Sequence, residues 1–227
     1  MLIFDCTQAT CDFFSAKVRG KVVCHVKQAP ADEPEAVDSA NPAVMDRWQL
    51  HCIKMGRYHL MIAAHVKTRY AMLFVGLKKN DLQGFLTQFR ERYVNEMWML
   101  ARAIPLSLPS EPEVLARCAQ WMATMHEYVF YKRGDRSVQT HINQVFDHAY
   151  YCAYEGEGLP VETMDLVDFD ATTNRLLRRI GSKGDYFLPD ERQLQMCYPL
   201  LGGSLSPDAV AEGYKAYRSK KWAITEE

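Results

Sequence analysis

An α+β fold, with a mainly antiparallel sheet and helices packed on one side of it, is what this sequence predicts, on three observations. Between residues 48 and 77, three apolar runs rich in β-formers follow one another across short polar breaks, the pattern of an antiparallel meander. Directly afterwards Leu82, Phe85, Leu86, Phe89, Tyr93, Met97 and Leu100 recur at helical spacing, so a long helix should lie across that sheet. A chain of 227 residues, 48% apolar and 24% charged, can bury a sizeable core and has an ordinary globular composition.

The elements follow in chain order. Residues 1 to 7 read as a short strand, and "GKVVCHVKQ" offers another. "APADEPEAVDSANPAV" holds three prolines and four acids and reads as an acidic, proline-rich loop over about residues 29–45. In "WQLHCIKM" Trp48, Leu50 and Cys52 share one face, Gly56-Arg57 makes a turn, and "YHLMIAAHV" and "YAMLFVGL" supply two further strands. Lys67-Thr68-Arg69 between them is the hairpin turn, and a basic one.

Asn80 and Asp81 are cap candidates for the helix from about Leu82 to Arg102, which keeps Arg90, Glu91, Arg92 and Asn95 off its apolar stripe. Pro105, Pro109 and Pro112 precede a shorter helix carrying Val114, Leu115, Cys118, Trp121 and Met122. "HEYVFYKRGDRS" reads as a strand closing in a turn at Gly134-Asp135. Ser137 is a cap candidate for the next helix, whose inward face is Val138, Ile142, Val145, Phe146 and Ala149. After "GEGLP" a helix is expected near Ala171 to Ile180, closed by Gly181. Residues 1–197 read as a single domain and 198–227 as a basic, aromatic extension.

Several function classes lack their signatures. A net charge of −1 supplies no global field toward polyanions, so any such site must be a local patch. The N-terminus has no basic region ahead of its apolar residues, and no run has the length of a membrane span. Seven scattered cysteines suit reduced thiols in a cytoplasm. With no C-x-x-C, H-x-x-x-H or H-E-x-x-H, no metal is expected. The absence of G-x-S-x-G, G-x-x-x-x-G-K-[ST] and G-x-G-x-x-G leaves no catalytic residue, cofactor or small-molecule substrate to expect. Asp165, Asp168 and Asp170 read as acids leading into a helix, with Asp168 or Asp170 as its N-cap, rather than as a catalytic pair.

Basic residues with interleaved aromatics are the feature that stands out. Lys67 and Arg69 lie near Lys78 and Lys79, Lys132, Arg133 and Arg136 follow Tyr131, and Arg178, Arg179 and Lys183 follow Arg175. The compensating acids sit elsewhere, at Asp32–Asp38 and Glu155–Asp170. The expectation is therefore a nucleic-acid-associated protein, a DNA-binding transcriptional regulator of a bacterial or mobile-element system, acting as a homodimer. Lys132, Arg133 and Arg136 would reach phosphates from a strand-to-helix turn, Arg178, Arg179 and Lys183 from a helix end, and Lys67 and Arg69 from the hairpin turn. Two alternatives stand beside it: an interaction module of a plasmid, phage or toxin-antitoxin system, and an enzyme whose site carries no recognised motif.

"MLIFDCTQATCDFF", "RWQLHCIKMGRYHLMIAAHVKTRYAMLFVGLKKNDL", "HINQVFDHAYY" and "TTNRLLRRIGSKGDYFLPDE" together resemble a bacterial family of unknown function, over roughly residues 1 to 195. The resemblance implies a fold pattern and a bacterial origin and no catalytic residue. The acidic insert and the basic tail depart from the family pattern.

Overall fold

The computed structural model describes residues 1–30, 46–156, 158–181 and 183–223. Most of the predicted acidic loop, residues 31–45, lies outside the described residues. The chain runs β1 (Leu2–Cys6), α1 (Gln8–Phe13), β2 (Ser15–Val18), β3 (Lys21–Cys24), β4 (Lys27–Gln28), β5 (Asp46–Met55), β6 (Tyr58–His65) and β7 (Ala71–Val75). It continues through α2 (Leu82–Ala103), α3 (Glu111–Thr124), β8 (Tyr128–Lys132), α4 (Arg136–Glu155), α5 (Thr163–Asn174), β9 (Arg178–Arg179) and β10 (Tyr186–Phe187). The chain closes with α6 (Pro189–Cys197), a 3₁₀ turn (Tyr198–Leu201) and α7 (Pro207–Ala223).

The fold is α+β, and the predicted meander is present: β5 pairs with β6 and β6 with β7, both antiparallel. The sheet as a whole corrects the expectation of a mainly antiparallel one. It has six strands in the order β4-β8-β1-β5-β6-β7, and β1 lies between β5 and β8, parallel to both, with β4 parallel to β8 beyond. All five residues of β1 are buried, as a central parallel strand requires. Its partners are supplied by segments more than 40 and more than 120 residues away, as in the pairs Leu2 with Asp46 and Leu2 with Tyr128. No local pattern encodes that choice.

Helices cover both faces of the sheet, which corrects the one-sided expectation. On one face α2 lays Phe85, Phe89 and Tyr93 against Phe4, Trp48 and Phe74, and α3 and α6 close around them. On the other face Val138, Ile142 and Val145 of α4, with Leu166 and Phe169 of α5, cover Leu60, Ile62 and Leu73. The reason lies in β6, whose alternate residues are apolar on both faces: Leu60, Ile62 and Ala64 meet one layer, Met61 and Ala63 the other. Exposing either set would forfeit burial worth about 25 cal/mol for each Å² of apolar surface.

The helix expected near Ala171 to Ile180 is instead α5, ending at Asn174, followed by a two-stranded ribbon in which Arg178 pairs with Phe187 and Arg179 with Tyr186. Helix α5 lies along the outer edge of β7 and satisfies it with side chains. Asp170 Oδ1 accepts from Leu73 N at 2.8 Å, Asn174 Oδ1 accepts from Ala71 N at 2.8 Å, and Asn174 Nδ2 donates to Ala71 O at 2.7 Å. Main-chain groups that would otherwise template another strand are thereby paired. Asp170, read from sequence as an N-cap, is thus an edge-capping residue in mid-helix, and Glu162 holds the N-cap position. Of the predicted extension, Tyr198, Leu201, Val210 and Tyr214 lie in the same buried cluster as α2.

Candidate nucleic-acid interface

Strands β1 and β8 end side by side, Cys6 in register with Lys132, and Arg133 N donates to Cys6 O at 3.1 Å. The chain then turns through Gly134 into α4, capped by Asp135 rather than by Ser137: Asp135 Oδ1 accepts from Ser137 N at 2.7 Å and Val138 N at 2.9 Å. A wholly buried glutamine on the neighbouring strand holds this turn. Gln49 Oε1 accepts from Asp135 N at 2.7 Å, and its Nε2 donates to Gln139 Oε1 at 3.0 Å.

The result is a cleft of about 430 Å³ lined by Thr7, Gln8, Lys132, Arg133, Asp135 and Arg136 among others. It opens at the carboxyl ends of parallel strands, where open α/β sheets place their ligands, and at the positive end of the α4 dipole. Lys132 and Arg136 are exposed and Arg133 is half-buried. Lys132, Arg133 and Arg136 line the cleft with one carboxylate, Asp135, on a chain of net charge −1.

The other predicted contact residues gather around the same helix. Arg69 Nη2 donates to Ser137 Oγ at 3.0 Å, and Arg178 Nη1 donates to Gln144 Oε1 at 2.9 Å, so the hairpin turn and the ribbon both attach to the N-terminal half of α4. Two expectations are corrected here. Arg69 is buried, at 6% exposure, with its backbone at φ 63°, and its guanidinium also meets Val66 O, so it props the turn against α4 and cannot reach a phosphate. Arg178, Arg179 and Lys183 lie on and within the β9–β10 ribbon rather than at a helix end. Arg178 is half-buried, whereas Arg179 and Lys183 are exposed, the former with its guanidinium 5.2 Å from the Tyr186 ring centroid. Lys67 is exposed at the β6–β7 turn.

The outward stripe of α4 carries Arg136, Thr140, Asn143, Asp147, Tyr150 and Tyr154, all exposed. The Tyr150 and Tyr154 rings are parallel to within 12° at 6.0 Å between centroids. The inward face of this helix is legible in the sequence as expected, and the i, i+4 spacing of Tyr150 and Tyr154 is the sequence signal for the outer pair. Under the same helix, His141 is buried over the Arg69 backbone without a hydrogen bond of good geometry at either ring nitrogen. Burial, with Arg178 nearby, pushes its pKa down to about 3.

A second polar cluster escaped the sequence altogether. Arg92 of α2 donates from Nε to Glu96 Oε1 at 3.2 Å and from Nη1 to Leu73 O at 2.6 Å, and pairs with Asp170 through Nη2. Tyr70 O–H donates to Glu96 Oε2 at 2.7 Å. Burial raises the pKa of both carboxyls, and Arg92 opposes it. Nearby Asp190, bonded by Tyr214 O–H, is raised by burial to about 6. Tyr70, Glu96 and Asp190 border a cavity of about 250 Å³ that also meets Arg175, but Tyr70 and Glu96 are bonded to each other and Asp190 accepts from Tyr214 and the Glu191 amide. They tie α2, α5, α6 and β7 together. Among the described residues no three His, Cys, Asp or Glu side chains are placed to hold a metal ion, and no helix is long and apolar enough to cross a membrane.

A family model described as a domain of unknown function (DUF6933) matches residues 3–192. The chain belongs to this family. The match spans β1 to the first turn of α6 and includes the sheet, the cleft and the ribbon, while most of α6 and all of α7 lie beyond it. Comparison with curated proteins and with solved structures returned no match.

Proposed function

We propose that this protein binds nucleic acid, with the cleft at the N-terminus of α4 and the outward stripe of that helix as the contact surface. The observation that carries the reading is the meeting, on one helix, of basic groups that are remote in sequence. Lys132, Arg133 and Arg136 surround its first turn, the ribbon bearing Arg179 and Lys183 attaches to it through Arg178, and Tyr150 and Tyr154 stand exposed further along. Cations on turns reach phosphates, while exposed aromatic faces accept unstacked bases, so a single strand is the better fit and DNA the target to test first. Use in transcriptional regulation is the corresponding biological reading.

The test is titration of the protein against labelled single-stranded and duplex DNA across a salt series. Micromolar binding at low salt is expected, with log K falling against log salt by about 0.7 per phosphate neutralised on a single strand and about 0.9 on a duplex. Lys132→Glu with Arg136→Glu should weaken binding and flatten the slope without loss of fold, because both side chains are exposed. Tyr150→Ala with Tyr154→Ala should weaken single-strand binding and leave the slope in place. Absence of binding at micromolar protein, or binding indifferent to these substitutions, overturns the proposal. A protein partner is the second reading, favoured by exposed Leu176, Leu177 and Ile180 beside the ribbon.

A further inference from the structure

Three of the seven cysteines meet where the first hairpin folds over α1. Cys24, at the end of β3, is exposed, and its Sγ lies 3.6 Å from the carbonyl oxygen of Cys11 in α1. Cys11 is 5% exposed, and its own Sγ lies 3.8 Å from the carbonyl oxygen of Cys6. The hairpin is held in place at this point. Ser15 is the register partner of Cys24, and Ser15 Oγ donates to the same Cys11 carbonyl at 2.6 Å. Cys24 and Cys11 are thus held on adjoining pieces of backbone, and a disulfide between them requires their Cα atoms to come within about 4.4–6.8 Å.

We propose that Cys24 and Cys11 form a peroxide-responsive thiol pair, with exposed Cys24 taking the oxidant and Cys11 closing the disulfide. The Cys24 thiolate attacks hydrogen peroxide, the O–O bond breaks, and the products are a Cys24 sulfenic acid and hydroxide, which takes up the thiol's proton as water. Cys11 sulfur then attacks the Cys24 sulfur. The S–S bond forms as the S–O bond breaks, and the hydroxide leaves with the Cys11 proton as a second water. Two thiols supply two electrons, and one peroxide is reduced to two waters.

The other thiols are poorly placed for this chemistry. Cys6 is wholly buried in the central strand with its Sγ toward Phe4 O. Cys52, Cys118 and Cys197 are buried in other elements. Half-buried Cys152 lies on α4, away from the first hairpin. Burial raises the Cys11 thiol pKa and Lys132 opposes it, so attack on an already oxidised partner suits Cys11 better than first attack on a peroxide. The inference is independent of the nucleic-acid reading, since neither step requires a bound partner.

The experiment treats the intact chain with a small molar excess of hydrogen peroxide, blocks remaining thiols by alkylation, and maps tryptic peptides. Lys17, Arg19 and Lys21 separate the two cysteines, so a cross-link joins distinct peptides. The expected result is a Cys11–Cys24 linked pair, a loss of two of the seven free thiols, and recovery with dithiothreitol. Cys24→Ser, at an exposed position that folding should tolerate, should abolish the link, while Cys152→Ser should leave it unchanged. Four results overturn the proposal: retention of all seven thiols, Cys24 sulfinic acid with Cys11 still alkylatable, a Cys24–Cys24 dimer, or a link that engages Cys6 in place of Cys24.

Discussion

At Arg92 one buried guanidinium meets Glu96, Asp170 and the Leu73 carbonyl, both carboxyls buried as well. Removing it leaves two buried carboxyls without their cation, and breaking a buried ion pair on one side costs about 3–5 kcal/mol. Arg92→Met should therefore lower unfolding free energy by about that amount in urea titrations at pH 8. The deficit should shrink toward pH 5, because both carboxyl pKa values are raised and protonation removes the uncompensated charge. His141 makes an opposite demand. Its pKa falls from 6.5 unfolded to about 3 folded, so the unfolded chain binds the extra proton throughout that window. Stability from this residue is whole above pH 6.5 and is lost as pH falls, by about 1.4 kcal/mol for each pH unit well inside the window. His141→Leu should flatten the acid limb of the stability–pH curve between those limits, and an unchanged limb would show that other groups set it.

Among the elements, α4 depends most on a correct start, because its first turn also forms the cleft. Asp135 alone bonds two of the helix's first amides, so Asp135→Ala should cost about 1 kcal/mol, read as a shift of the urea midpoint. Ser137→Ala should spare the cap and cost only the bond that Ser137 Oγ accepts from Arg69. Helix α2 shows the reverse case, in which local sequence and structure agree. Asp81 accepts from Gly84 N at 2.8 Å, and the stripe through Phe85, Phe89 and Tyr93 is buried where its spacing placed it. Trp48 is likewise fully buried against Phe89 and Tyr93.

For the whole molecule, the family match ends at residue 192 but the packing does not. Tyr198, Leu201, Val210 and Tyr214 are essentially buried, and Tyr214 O–H bonds Asp190. Deleting residues from 198 onward would uncover Tyr93, Cys197 and their neighbours on the α2 side of the sheet. A chain cut after Cys197 should lose its cooperative thermal transition or show a midpoint lower by more than 10 °C, since two buried tyrosines with buried Leu201 and Val210, at about 2–5 kcal/mol for each large side chain lost, approach the margin of an ordinary domain. A transition unchanged by the cut would show the tail to be dispensable.

The sequence by itself determined what depends on near neighbours. The meander follows from apolar runs broken by Gly56-Arg57 and Lys67-Thr68-Arg69, α2 from its stripe, and the inward face of α4 from residues three and four apart. It also named Lys132, Arg133 and Arg136, three adjacent or nearly adjacent residues that line one cleft. Tertiary structure alone decided the rest. The parallel placement of β1 is a pairing across long loops, and no pattern in "MLIFDC" selects its partners. Arg69 reads as an exposed turn cation until α4 is laid over it, and Asp170 reads as a helix cap until the edge of β7 arrives to be capped. Whether a charged side chain meets solvent or a buried partner is set by what packs above it, and that comes from distant parts of the chain.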